Sequence, residues 1–138
     1  MKVSFLIAED VRPEANGKMT LIGLFPGNIV ILHKRELPEG IPENIPAGLE
    51  RLTIMATITD AEGTFNLKGN IVDPSGEVSN EMPLGEVTIK KGFSHSTIIE
   101  LKPFLVKKPG TFRFEFFVGK KKFEFAFELR EQVPEMTL

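Results

Sequence analysis

The chain has 138 residues, 41% of them hydrophobic, with a net charge of −2, ten prolines and no cysteine. One domain over residues 1–138 is the simplest division at that length, enough to bury roughly two-thirds of the unfolded surface. Without cysteine there is no thiol nucleophile, no thiolate metal site and no disulfide framework.

Residues 2–9 read as a first strand, with Val3, Phe5 and Ile7 on one face. The apolar run from Met1 stops at Glu9-Asp10, too short for a secretory segment or a membrane span. A cytoplasmic protein with no membrane partner is therefore expected. Asn16-Gly17 suits a hairpin turn whose central residues need positive φ. Residues 18–25 return, with Met19, Leu21 and Phe25 on one side and Ile22 and Leu24 on the other. Pro26-Gly27-Asn28 breaks this strand as either a bend or a reversal, and Ile29-Val30-Ile31-Leu32 resumes it.

Residues 51–59 alternate, with Leu52, Ile54, Ala56 and Ile58 inward and Thr53, Thr57 and Thr59 outward. Residues 64–72 follow, with Phe65, Leu67 and Ile71 inward. Asp73-Pro74-Ser75-Gly76 then forms a β-turn, with proline presetting φ at its second position. Residues 78–89 carry Pro83 and Gly85, the mark of an edge strand or a bulge. After the strand at 93–101 comes the clearest signal in the chain. Phe112, Phe114 and Phe116 alternate along one arm, Phe123, Phe125 and Phe127 along the next, and Gly119-Lys120-Lys121 joins them. A period of two puts these rings on one face, with Arg113, Glu115, Glu124 and Glu128 on the other.

Seven to nine such strands predict an all-β chain forming a single antiparallel β-sandwich of the Ig-like, Greek-key type. Glu9-Asp10, Asn16-Gly17-Lys18, Leu21-Ile22-Gly23-Leu24-Phe25, Asp73-Pro74-Ser75-Gly76 and Pro109-Gly110-Thr111-Phe112 together resemble a family of small, uncharacterised bacterial β-sandwich proteins, a domain of unknown function. The resemblance implies the same fold and brings no activity with it.

Catalytic constellations are sparse. His33 ends a strand beside Lys34 and Arg35, and His95 lies between Ser94 and Ser96. Strand neighbours point to opposite faces, so neither serine suits His95 as a nucleophile. The nucleophile elbow and the glycine-rich phosphate motifs are missing. No enzyme activity and no cofactor are expected. The carboxylates Asp60 and Glu62 fall at the opposite end from Asp73 and Glu77 if strands alternate in direction, which argues against a calcium site.

The same alternation gathers Lys90, Lys91, Lys120, Lys121 and Lys122 at one end, a candidate basic patch for an acidic partner. The bland reading is that turn lysines maintain solubility and oppose edge pairing. Residues 1–89 hold 7 basic against 13 acidic residues and residues 90–138 hold 10 against 6, so the basic character is local. With Trp and Tyr absent as well, nucleic acid is not an expected partner.

Residues 37–48 place a proline after Leu37, Ile41 and Ile45 in turn, a candidate binding loop or a crossover between sheets. The early strands are apolar on both sides, and a core covers only one. Ile22, Leu24, Val30 and Leu32 are the candidate oligomer face, covered by a second copy in a two-fold dimer. The reading is a non-catalytic binding or structural module that self-associates, with a further protein partner as a second candidate. The alternative is a small hydrolase or ligand-binding protein with a site under the 37–48 loop, using His33 or His95.

Overall fold

The computed structural model describes residues 1–33, 47–106 and 108–132, and over these the chain is all-β. β1 (Lys2–Pro13) and β2 (Met19–Leu24) form the first hairpin. At its turn Asn16 and Gly17 take φ of 69° and 75°, the left-handed conformation that Asn-Gly enters readily. After β2 the chain bends at Pro26–Asn28 and runs into β3 (Ile29–His33), which belongs to another sheet. The break is therefore a change of sheet.

The remaining strands are β4 (Ala47–Leu49), β5 (Leu52–Thr59), β6 (Gly63–Val72), β7 (Val78–Ile89), β8 (His95–Leu101), β9 (Phe104–Val106), β10 (Gly110–Val118) and β11 (Lys121–Gln132). One four-stranded sheet has the order β2-β1-β5-β8, a five-stranded sheet has β3-β11-β10-β6-β7, and β4 pairs with β9. The five-stranded sheet is mixed, because β3 lies parallel to β11 along Glu128↔Ile29 to Gln132↔His33. This corrects the wholly antiparallel expectation. A strand delivered from the other sheet docks on a free edge in the direction its bend gives it, with no hairpin to force reversal.

Local turn chemistry behaves as read. Gly76 N–H donates to Asp73 O at 2.9 Å, and Asp73 Oδ1 accepts from the N–H groups of Ser75 and Glu77. β7 is an edge strand, and its register against β6 shifts at Leu84, between Pro83 and Gly85. The hairpin of β10 and β11 pairs Phe112 with Phe127, Phe114 with Phe125 and Phe116 with Phe123.

One core cluster draws on both large sheets. Ile7, Ile54, Ala56, Ile58 and Ile99 come from the first, and Phe114, Phe116, Phe127 and Leu129 from the second. Phe5 of β1 stacks on Phe125 with centroids 5.4 Å apart and meets Phe114 and Phe116 edge-on at 5.9 and 6.1 Å. Such offset and edge contacts add to the area the rings bury. Gly69 lies opposite Phe116, and a Cβ there would stand 2.8 Å from Phe114 Cε2. The glycine makes room for the ring.

Two expectations for the early strands are overturned. Val30 and Leu32 enter the core, so they cannot present a face to a partner. Ile29 to Leu32 are all apolar, so alternation alone does not choose which side turns inward, and pairing with β11 does. Met19 and Leu21 are absent from the main core. They pack with Ala8, Val11, Met55 and Ile98 in a second cluster.

Candidate binding surfaces

The two large sheets present different outer faces. On the five-stranded sheet most residues between the inward rings are charged and paired, Ala126 being the exception on β11 and Ile31 an exposed apolar residue on the edge strand β3. Lys122 Nζ stands 2.6 Å from Glu115 and 3.0 Å from Glu124, Lys68 is 2.8 Å from Glu81, and Arg113 is 3.7 Å from Glu124. The hydrogen bond from Lys122 holds Glu124 below the usual carboxylate range, and Lys68 does the same for Glu81. Hydrogen bonds to Glu115 and Glu124 raise Lys122. This face is satisfied by its own charges.

The outer face of the four-stranded sheet is apolar at its centre. Register places Leu6 beside Met55 and Met55 beside Ile98, while Ala8 lies beside Leu24. Met55 and Ala8 are buried, whereas Leu6 and Ile22 are each 41% exposed and Leu24 is 52% exposed. Ion pairs lie at one border, where Arg51 bridges Asp10 at 3.1 Å and Glu100 at 2.9 Å. A hydrogen bond from Arg12 holds Asp10 below its ordinary pKa. Ile22 and Leu24 thus remain outward as expected. Leu6, Met55 and Ile98 join them in place of Val30 and Leu32. Met55 was legible: it falls at an outward position between Thr53 and Thr57.

The lysine turns do share an end. Gly63 pairs with Ile89, and Gly119 N–H donates to Asn66 O at 2.9 Å, so the β5–β6, β7–β8 and β10–β11 turns all lie there. Lys90, Lys91, Lys120 and Lys121 are exposed. Lys122 is drawn into the charge ladder on the outer sheet face. Lys2 pairs with Asp60 at 3.7 Å at the same end. Phe93, the first residue of the strand expected over 93–101, lies two residues before β8 begins and is 68% exposed. Its N–H donates to Lys90 O at 3.0 Å, closing a turn with Gly92 at φ 82°. Lys-Lys-Gly was the signal that the turn continues through residue 93.

His95 begins β8, half-buried, opposite Ile58. Ser96 Oγ lies 2.9 Å from Thr57 Oγ1 across the strands. His33 closes β3, while Leu37, Ile41 and Ile45 lie outside the described residues. Among the described residues no group of three or more His, Asp or Glu converges as a metal site requires, and no helix is long and apolar enough to cross a membrane.

The depressed carboxylates give a pH expectation. Asp10, Glu81, Glu124 and Glu128 each lie below the ordinary value, chiefly through a hydrogen bond from Arg12, Lys68, Lys122 and Arg130 respectively. A depressed folded pKa contributes stability that is present above the unfolded pKa and lost as pH falls through the folded one. Melting temperature should hold from neutrality to about pH 5 and fall below about pH 4. The effect should be modest because the pairs are exposed. A melting temperature that rises on acidification would contradict these pairings.

No family model matches the chain, and no curated protein matches it. Among solved structures it is similar to a beta-glucosidase from Listeria innocua, determined in complex with isofagomine, at 10% identity and a TM-score of 0.42. The match covers 96% of this chain and spans 16% of that one. At that score the likeness decides neither fold nor function.

Proposed function

We propose that the chain is a non-catalytic binding or structural module, a single β-sandwich of Ig-like type, that self-associates as a two-fold dimer through the outer face of β1, β2, β5 and β8. The contrast between the two outer faces carries this reading: one is laced with ion pairs, the other presents Leu6, Ile22 and Leu24 around a buried Met55. The family resemblance of its turns supports the sandwich. A two-fold axis brings the same patch together from both copies, so the exposed side chains of each are covered by the other.

The magnitude sets the strength. Three half-exposed side chains on each copy would contribute about 6 kcal/mol if fully covered. Association costs about 4 kcal/mol or more, which makes the dimer weak and reversible. Light scattering should show the mass rising with concentration through the high micromolar range. Leu6→Ser with Leu24→Ser should leave a folded protein that stays monomeric over the same range. Both side chains are already partly in water, so the fold should tolerate the change. A wild type that is strictly monomeric, or a double variant that associates equally well, would overturn the reading.

A further inference from the structure

The end that carries the lysine turns combines three features. Lys90, Lys91, Lys120 and Lys121 are exposed there, beside the Lys2–Asp60 pair and Glu62. Five lysines against two carboxylates leave a surplus of three positive charges, in a chain whose overall charge is −2. The remainder is therefore acidic, and the molecule is polarised toward this end. The next carboxylate down β7, Glu86, stands opposite Asn66. Of the twelve phenylalanines, Phe93 alone is exposed, and it closes the turn that Lys90, Lys91 and Gly92 begin. A single exposed apolar residue needs no explanation. An exposed ring held in the same turn as Lys90 and Lys91 is a particular chemistry.

We propose that this end is a peripheral docking surface for an anionic phospholipid bilayer. The lysines meet the lipid phosphates and carboxylates, and Phe93 enters the boundary between headgroups and acyl chains. Each lysine at such a surface strengthens binding roughly fivefold. The polarised charge orients the molecule, since the rest of the chain sums to a net negative charge that an anionic surface repels. The expectation that no membrane is a partner rested on the lack of a spanning segment, and a protein that lies on a bilayer needs none. A single-stranded nucleic acid is the less suited occupant, because it is held by successive bases stacking on several aromatic planes and this end offers one.

Flotation with vesicles tests the surface. The wild type should float with phosphatidylcholine vesicles holding about one-third phosphatidylserine, and not with phosphatidylcholine alone, and raised salt should release it. Lys90→Gln, Lys91→Gln, Lys120→Gln and Lys121→Gln together should weaken binding by several hundredfold, on the order of fivefold for each lysine. Phe93→Ser should weaken it roughly tenfold to a hundredfold. If the quadruple variant fails to fold, Lys120→Gln with Lys121→Gln alone should cost roughly thirtyfold. A wild type that floats with neither vesicle overturns the proposal, as do variants that float as well as the wild type. Binding to a single-stranded oligonucleotide, lost in the same variants, without binding to vesicles would assign the surface to nucleic acid and overturn it too.

Discussion

Phe114→Ala should cost about 3–5 kcal/mol of folding stability and lower the melting temperature by roughly 10–20 °C. Phe114 is fully buried near the middle of β10, between Phe5 of the facing sheet at 5.9 Å and Phe116 at 6.0 Å. Removing the ring loses its transfer free energy and leaves a hole. Across the pair with β6 the hole opens on Gly69, which has no side chain to relax into it. Neighbouring strands hold the backbone on both sides, so collapse is restricted. A chemical denaturation midpoint that hardly moves would mean the rings are not packed in a closed core.

Gly69→Ala tests the same contact from the other side and should cost about 1–3 kcal/mol. Gly69 does not have a left-handed φ, so the penalty comes from contact alone. The new Cβ would meet Phe114 Cε2 at 2.8 Å, Phe114 Cζ at 3.0 Å and Leu84 Cδ1 at 3.3 Å. Leu84 sits at the bulge of the edge strand and can give way, whereas the Phe114 ring cannot. Gly69→Ala combined with Phe114→Leu should therefore be more stable than the sum of the single losses implies, because the smaller side chain vacates the clash. Strict additivity in thermal denaturation would show that the two residues do not share this space.

The hairpin of β10 and β11 was legible because period-two patterning and a glycine turn are both local signals. The Asp73 turn was legible for the same reason. Which strand pairs with which was less so. β5 pairs with β1 and β8 instead of its chain neighbour β6, and β3 pairs with β11 across most of the sequence. Alternation says which residues share a face and carries nothing about the partner strand. For Ile29 to Leu32 even the face was undetermined, since both phases of the alternation are apolar, and the choice fell opposite to expectation. The outward patch was partly legible: Ile22 and Leu24 were found and the outward phase of Thr53 and Thr57 marks Met55, while Ile98 was hidden beside Ile99, which points inward. Phe93 was missed because the strand was started two residues before the turn had ended.

Self-association through the outer face of the four-stranded sheet is most directly tested by methyl NMR of the wild type over a dilution series. The expected result is concentration-dependent shifts confined to the methyl groups of Leu6, Ile22, Leu24, Met55 and Ile98, with Val30, Leu32 and the core leucines unmoved. Shifts that do not change up to millimolar protein, or that fall on another face, would contradict it.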